Sequence, residues 1–325
     1  MRHRNAPLQL ARSEMTNTII LGNTGVVPLH KQRRPGPRTE AWAGWLFVLP
    51  FVLLFTVFIA VPMFLAAATS LTDMKARDLR NPLNAEFVGF DTFAKVFSDP
   101  AFLQSVGTTA LFVVLCVPLS MGIGLFLAVL LDTGIRRLRA FFRAAVYVPV
   151  ITNIVAVAVI FQYAFSLGGP INTALESFSF PAVNWLGESG TAVFTVVLMS
   201  VWRNVGMCMV LFLAGLQAVP GDVYEAAQTD GAGPVRRFWS ITLPLLRPTT
   251  LLVSVLMTFF FINIFEEPYM LTGGGPLGST RSLALWVYEQ FGFGNVAASM
   301  AGSVVLLALV AIVAAIQFRL LRPKH

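Results

Sequence analysis

Histidine is nearly missing from this sequence: the 325 residues contain three, His3, His30 and His325, all near the ends. With none in the long middle of the chain, no histidine cluster can hold a metal there and no histidine base can serve catalysis. Cysteine is scarcer still. Cys116 and Cys208 each fall inside an apolar run, where they read as small hydrophobes rather than as a disulfide. Charged residues make up only 12% of the chain against 56% hydrophobic residues, a balance that excludes an ordinary soluble domain. No Gly-Lys pair occurs, so the chain lacks the phosphate-binding loop of an ATPase. No catalytic residue, metal or cofactor is expected, and any nucleotide must be bound by another chain.

What the sequence has instead is apolar length. About 20 apolar residues carry a helix across a hydrocarbon core of about 30 Å. Six stretches qualify, near 43–71, 108–131, 145–166, 192–217, 249–270 and 297–319. The fold expected is therefore an all-α integral membrane protein with six transmembrane helices. Residues 1–41 are polar and basic, contain Pro35-Gly36-Pro37, and read as a disordered tail rather than a cleaved signal peptide, because the first long apolar run begins only near Trp42. Residues 42–322 form the transmembrane domain.

Basic residues fix the expected orientation. The tail holds seven Lys and Arg, the loop near 132–144 four (Arg136, Arg137, Arg139, Arg143), the segment around Glu225 three and the C-terminus three, so seventeen lie on one side. The alternate loops hold five, and Arg203 is the remaining one of 23. Lysine and arginine are retained on the cytoplasmic side, which places both termini and the Glu225 segment in the cytoplasm of a multi-pass protein of the cytoplasmic membrane. The net charge of +7 is explained by that retention and by contact with lipid, not by nucleic acid.

The polar gap between the fourth and fifth runs, residues 218–246, is the most structured loop by sequence. Pro220-Gly221-Asp222 can start a short helix, Gly231 can end it in the left-handed conformation, and Pro234 favours a second start. Two short helices result, with small Ala226 and Ala227 allowing close approach of a partner and Glu225 offering it a charge. The spacing Glu225-Ala226-Ala227, three residues, Gly231, nine residues, Ile241-x-Leu243-Pro244 resembles the signature of the integral membrane subunits of binding-protein-dependent ABC importers. Leu213-Ala214-Gly215-Leu216-Gln217 and Thr272-Gly273-Gly274-Gly275-Pro276 are similar to elements of the sugar-type permeases among them. The resemblance implies the type I importer fold, a coupling loop that docks on a cytoplasmic ATPase, and a pore shared with a second, homologous permease subunit. It also implies two ATPase subunits, an extracytoplasmic solute-binding protein, and a carbohydrate substrate, mono- or oligosaccharide, with glycerol phosphate or a polyol as the alternative.

A few polar residues sit where a solute would pass. Arg203 lies about eleven residues from the outer end of the fourth run, too deep to snorkel easily, and an intramembrane charge marks either a functional path or a paired structural site. Asn204 neighbours it. Glu266, Glu267 and Tyr269 lie near the outer end of the fifth run with Asn263 below them, and read either as solute ligands or as interfacial, solvated groups. Asn153 and Gln162 read as glue between helices. Gly273 to Gly278 matches a dinucleotide fingerprint only formally, since no strand precedes it, and reads as a turn. An ion-coupled secondary transporter, the competing class, needs a titratable group near the midplane of a span, and none of the six runs has an Asp or Glu at its centre.

The charge partition gives a direct expectation. Cysteines placed at Arg80 and Phe180 should react with an impermeant thiol reagent added outside intact cells, and one at Val235 should not. Labelling at Val235 would overturn the orientation.

Overall fold

A computed structural model describes residues 37–81, 84–133 and 138–321. The expected tail therefore lies outside the described residues up to residue 36, as do Arg136, Arg137, Arg322 and Lys324. Chain contacts divide the protein into two units, Met1–Ile59 and Ala60–His325. In the first, helix α1 (Pro37–Phe55) begins inside the expected tail, consistent with the preference of proline for the first helical position.

In the second unit, α2 (Val61–Thr69) is followed by a loop and α3 (Asp91–Phe97), then α4 (Pro100–Thr133), α5 (Arg139–Ile151), α6 (Ile154–Ala164), α7 (Pro170–Ser177) and α8 (Ser189–Gln217). The polar gap contributes α9 (Gly221–Thr229), α10 (Pro234–Arg237), a π-helical turn at Phe238–Thr242 and α11 (Leu243–Leu245). The remainder is α12 (Arg247–Ile262), α13 (Glu266–Thr272), α14 (Leu283–Gly292) and α15 (Val296–Leu321). Among the described residues there is no strand, only an isolated antiparallel bridge between Thr72 and Phe87.

Four stretches, Trp45–Thr69, Pro100–Thr133, Ser189–Gln217 and Val296–Leu320, are helical, long and apolar enough to cross a membrane, the first with a π-helical segment at Thr56–Ala60. The third expected span, 145–166, is bent within its length, and the fifth, 249–270, follows a bend that lies just ahead of it. Residues Arg139–Ile151 and Ile154–Ala164 meet at 94°, and Pro234–Leu245 and Arg247–Ile262 at 68°. Counting each pair as one span gives six. The fifth expected run, 249–270, is corrected in a further respect: its helix ends at Ile262, and 266–272 is a separate short helix.

The breaks follow from local chemistry. Asn153, expected to bind across helices, instead caps its own: its Oδ1 accepts from the backbone N–H of Val155 at 2.8 Å and of Ala156 at 3.4 Å, satisfying two donors that the break exposes. Gln162 does act as glue, its Nε2 donating to the carbonyls of Met270 at 2.8 Å and Leu271 at 3.2 Å. Helix α4 starts earlier than expected because Asp99 Oδ1 accepts from Ala101 N–H at 2.9 Å. Its 34 residues make a rod of about 50 Å, well beyond the hydrocarbon core.

The main core gathers around α8, whose buried residues run nearly all the way round it, from Ala192 through Met199, Val205 and Met209 to Leu216. Cys116 and Cys208 are free and buried, packed as small apolar groups in the same core. A second cluster joins Val96, Phe102, Leu283, Trp286 and Ala301, with Trp286 edge-on to Phe102 at 4.9 Å and donating to Asp99 at 3.3 Å.

Glycines set how closely other helices reach α8. A Cβ at Gly124 would lie 2.4 Å from Cys208 Cβ, and one at Gly206 2.4 Å from the Val146 carbonyl. Small residues at helix contacts are how membrane helices approach closely. Gly122, two residues from Gly124, has nothing within 4 Å of a Cβ. Gly122→Ala should therefore keep or slightly raise the melting temperature of the detergent-solubilised protein, since alanine favours helix by about 1 kcal/mol. Gly124→Ala should lower it, because overpacking at about 1–3 kcal/mol exceeds that gain. Equal melting temperatures for the two variants would remove Gly124 from the packing argument.

Candidate functional site

Two regions bring the candidate residues together. The first is the polar gap. Helix α9 ends at Thr229, and Gly231 follows at φ +74°. The Ala232 N–H donates to the Ala227 carbonyl at 2.9 Å and the Gly231 N–H to the Gln228 carbonyl at 3.0 Å, the paired bonds of a Schellman closure. Gly233 then precedes Pro234, which opens α10. The sequence expectation of two short helices around a left-handed glycine is met residue by residue.

Glu225 and Ala226 are exposed on α9, whereas Ala227 is buried. Smallness at Ala227 therefore serves packing within this chain. Ile241, Leu243 and Pro244 are half-buried along the π-helical turn and α11. The two halves are tied by the hydroxyls of Tyr224 and Thr242, 3.1 Å apart, so α9 is braced against the segment that leads into α12. Val235 and Trp239 add exposed apolar surface to the loop. In the sequence Val235 served only as a labelling position, and Trp239 was not singled out.

The second region is a cavity of about 430 Å³ at the junction of α5, α8, α12 and α13, within the usual size range of ligand pockets. Arg203 and Asn204 reach it from α8, Asn263 from the end of α12, and Glu266 and Glu267 from the first turn of α13. The break after Ile262 makes this possible: residues 263–265 turn the chain so that α13 presents its first turn to the cavity and its acidic residues to Arg203.

Arg203 Nη1 donates to Glu267 Oε1 at 2.9 Å and lies 3.5 Å from Glu266 Oε2. The side chain of Glu267 is 8% exposed and that of Glu266 54%, so the two carboxylates do different jobs. The interfacial reading of Glu267 is corrected: it is buried and paired, because an arginine this deep needs a partner in low dielectric. Both neighbouring amides have a defined orientation. Asn204 Nδ2 donates to the Ser200 carbonyl at 2.9 Å and Asn263 Nδ2 to the Phe259 carbonyl at 2.8 Å. A carbonyl only accepts, so each carboxamide turns its NH2 back to its own helix. The oxygens accept no hydrogen bond from any other described residue.

Tyr269 is not part of the wall. It stacks on Phe265 at 5.2 Å, with Tyr288 edge-on to both rings, and of these three only Phe265 lines the cavity. Val150, Met207, Phe260, Phe261 and Ile264 complete the lining. Met207 was legible, one helical turn from Arg203. Val150 was not, since it depends on the bend between α5 and α6. The glycine-rich segment forms a turn, with Gly273, Gly274 and Gly278 at positive φ.

The family model described as binding-protein-dependent transport system inner membrane component matches residues 120–324. The sulfoquinovosyl glycerol transport system permease protein SmoG of Agrobacterium fabrum is 32% identical over 295 residues, covering 87% of this chain and 94% of that protein. The trehalose/maltose transport system permease protein MalF of Thermococcus litoralis is 34% identical over 275 residues, covering 83% and 90%. Among solved structures, a chain of a bacterial alginate ABC transporter in complex with alginate pentasaccharide-bound periplasmic protein superposes with a TM-score of 0.75. The identity is 20%, and the match covers 87% of this chain and 95% of that one.

The ion pair gives a stability expectation. Arg203→Met alone should leave Glu267 without its partner and cost about 2 kcal/mol, below the range for fully buried pairs because the cavity admits water. Adding Glu267→Gln should recover most of that loss in the melting temperature. No recovery in the double variant would show that the two side chains are not coupled.

Proposed function

Because the chain belongs to the binding-protein-dependent transport system inner membrane component family, and so is a multi-pass inner-membrane permease subunit of an ABC importer served by a solute-binding protein, we propose that its cargo is a carbohydrate. Mono- or oligosaccharides fit a cavity walled by amide oxygens, a carboxylate and the ring of Phe265. The permease itself is not an enzyme. Residues 42–322 are its transmembrane part, with both termini and residues 218–246 in the cytoplasm. Two separate ATPase subunits drive the cycle, and a second, homologous permease completes the pore.

One observation carries the coupling role of Glu225 to Pro244: α9 is exposed, closed by a positive-φ glycine and braced through Tyr224 and Thr242 to the segment entering α12. A push on α9 reaches α12 through that brace, and α12 ends at the cavity. Glu225 and Ala226 meet the ATPase, Ala227 anchors the helix, and Ile241, Leu243 and Pro244 hold the second half of the loop. Arg203, Asn204, Asn263, Glu266 and Glu267 belong to the solute path or to its support, and Tyr269 supports Phe265.

The test uses vesicles holding the complete importer and a panel of trehalose, maltose, lactose and glycerol 3-phosphate. Uptake and ATP hydrolysis should rise with a saccharide. Gly231→Val should abolish both, since a β-branched residue at that φ is disfavoured by about 1–2 kcal/mol although the space around it is open. Gly231→Asn, which tolerates the left-handed region, should keep most uptake, and Glu225→Lys should weaken it by reversing a contact charge. Full, substrate-stimulated hydrolysis and normal uptake in Gly231→Val would refute the coupling role. Uptake of glycerol 3-phosphate alone would refute the carbohydrate reading.

A further inference from the structure

The cavity's charge is not carried by the residue that first draws attention. Arg203 is bound by Glu267 at 2.9 Å, and Glu267 is almost wholly buried, so these two cancel and stay together. Glu266 stands 3.5 Å from the same Nη1 with more than half its side chain exposed. With no other formally charged residue in the lining, the cavity holds a net charge of −1 that faces solute. Near it, the oxygens of Asn204 and Asn263 are also acceptors, their NH2 groups being held by their own helices.

We propose that Glu267 is the fixed counter-ion of Arg203 and that Glu266 is the specificity-determining residue, making the cavity select uncharged, hydroxyl-bearing solutes and reject anionic ones. A hydroxyl can donate to the Glu266 carboxylate and to either amide oxygen. A fully ionised phosphate, sulfonate or carboxylate group brings no donor of its own to these acceptors and meets a like charge in a partly desolvated site, where repulsion is stronger than in water. The inference rests on the reading of this cavity as part of the solute path, but its charge can be measured without a substrate.

The probes are two thiol reagents of similar size, 2-(trimethylammonio)ethyl and 2-sulfonatoethyl methanethiosulfonate, applied to the assembled importer in lipid nanodiscs. The reporter is Met207→Cys, a neutral lining position, with the parent chain as blank because Cys116 and Cys208 are fully buried. After normalisation to a free thiol, the cationic reagent should react faster by about tenfold, the ratio for one full charge within a side-chain length across water. Glu266→Gln should abolish the preference and leave the melting temperature unchanged, whereas Glu267→Gln should lower the melting temperature. A ratio near one with Glu266 in place, or no reaction with either reagent, overturns the proposal. An equal loss of melting temperature in Glu266→Gln and Glu267→Gln overturns the division of roles. If the modified importer keeps full uptake of its panel saccharide, the cavity is not on the path, and the path reading fails while the charge assignment stands.

Discussion

Lipid offers no hydrogen bonds, so a helix that breaks inside a membrane protein must find every partner for its freed backbone groups within the protein. The architecture depends on how this chain meets that constraint at each break. Between α5 and α6 the Asn153 side chain takes two backbone donors. At the other end of α6, Gln162 donates to two carbonyls of α13, which joins the helix after one break to the helix after another. The cavity exists because α12 stops at Ile262 and α13 restarts at Glu266; an unbroken helix would carry the acidic pair past Arg203.

The same economy governs packing. Helix α8 is central because its faces are met at glycines or small residues: α4 through Gly124, α5 at Gly206 and α12 where Gly215 meets Thr249. Backbones brought this close hold the walls of the cavity at fixed spacing. On α15, Gln317 donates to the hydroxyls of Ser254 at 2.9 Å and Thr258 at 2.6 Å on α12, a further polar clamp on the helix that lies between the loop and the cavity.

Much of this was legible in the sequence, for identifiable reasons. Helical spans announce themselves through apolar length, and the loop around Gly231 through proline and glycine, whose backbone preferences act locally. The sequence also marked Arg203 as either a path residue or a paired structural charge. It did not reveal the 94° bend between Ile151 and Ile154, because a broken span and a straight one have the same composition. For the same reason Glu266 and Glu267 looked like neighbours at an interface: their division of labour arises from a chain reversal at residues 263–265. Tyr269 was grouped with them by proximity in sequence, yet its ring turns away to Phe265 and Tyr288.

The pairing of Arg203 with Glu267 has a consequence for how the protein is made. The partners are 64 residues apart, and the carboxylate is the later of the two to be synthesised. At about 5–20 residues per second of translation, the fourth span waits roughly 3 to 13 s with an unneutralised guanidinium while the rest is built. Inserting arginine at the centre of a helix costs about 2.5–3.5 kcal/mol on the translocon scale, so the apolar residues of α8 must hold the span in place alone until α13 arrives. Nascent chains stopped before Glu267 carry that cost unrelieved, which makes the interval between these two residues the vulnerable period of biogenesis.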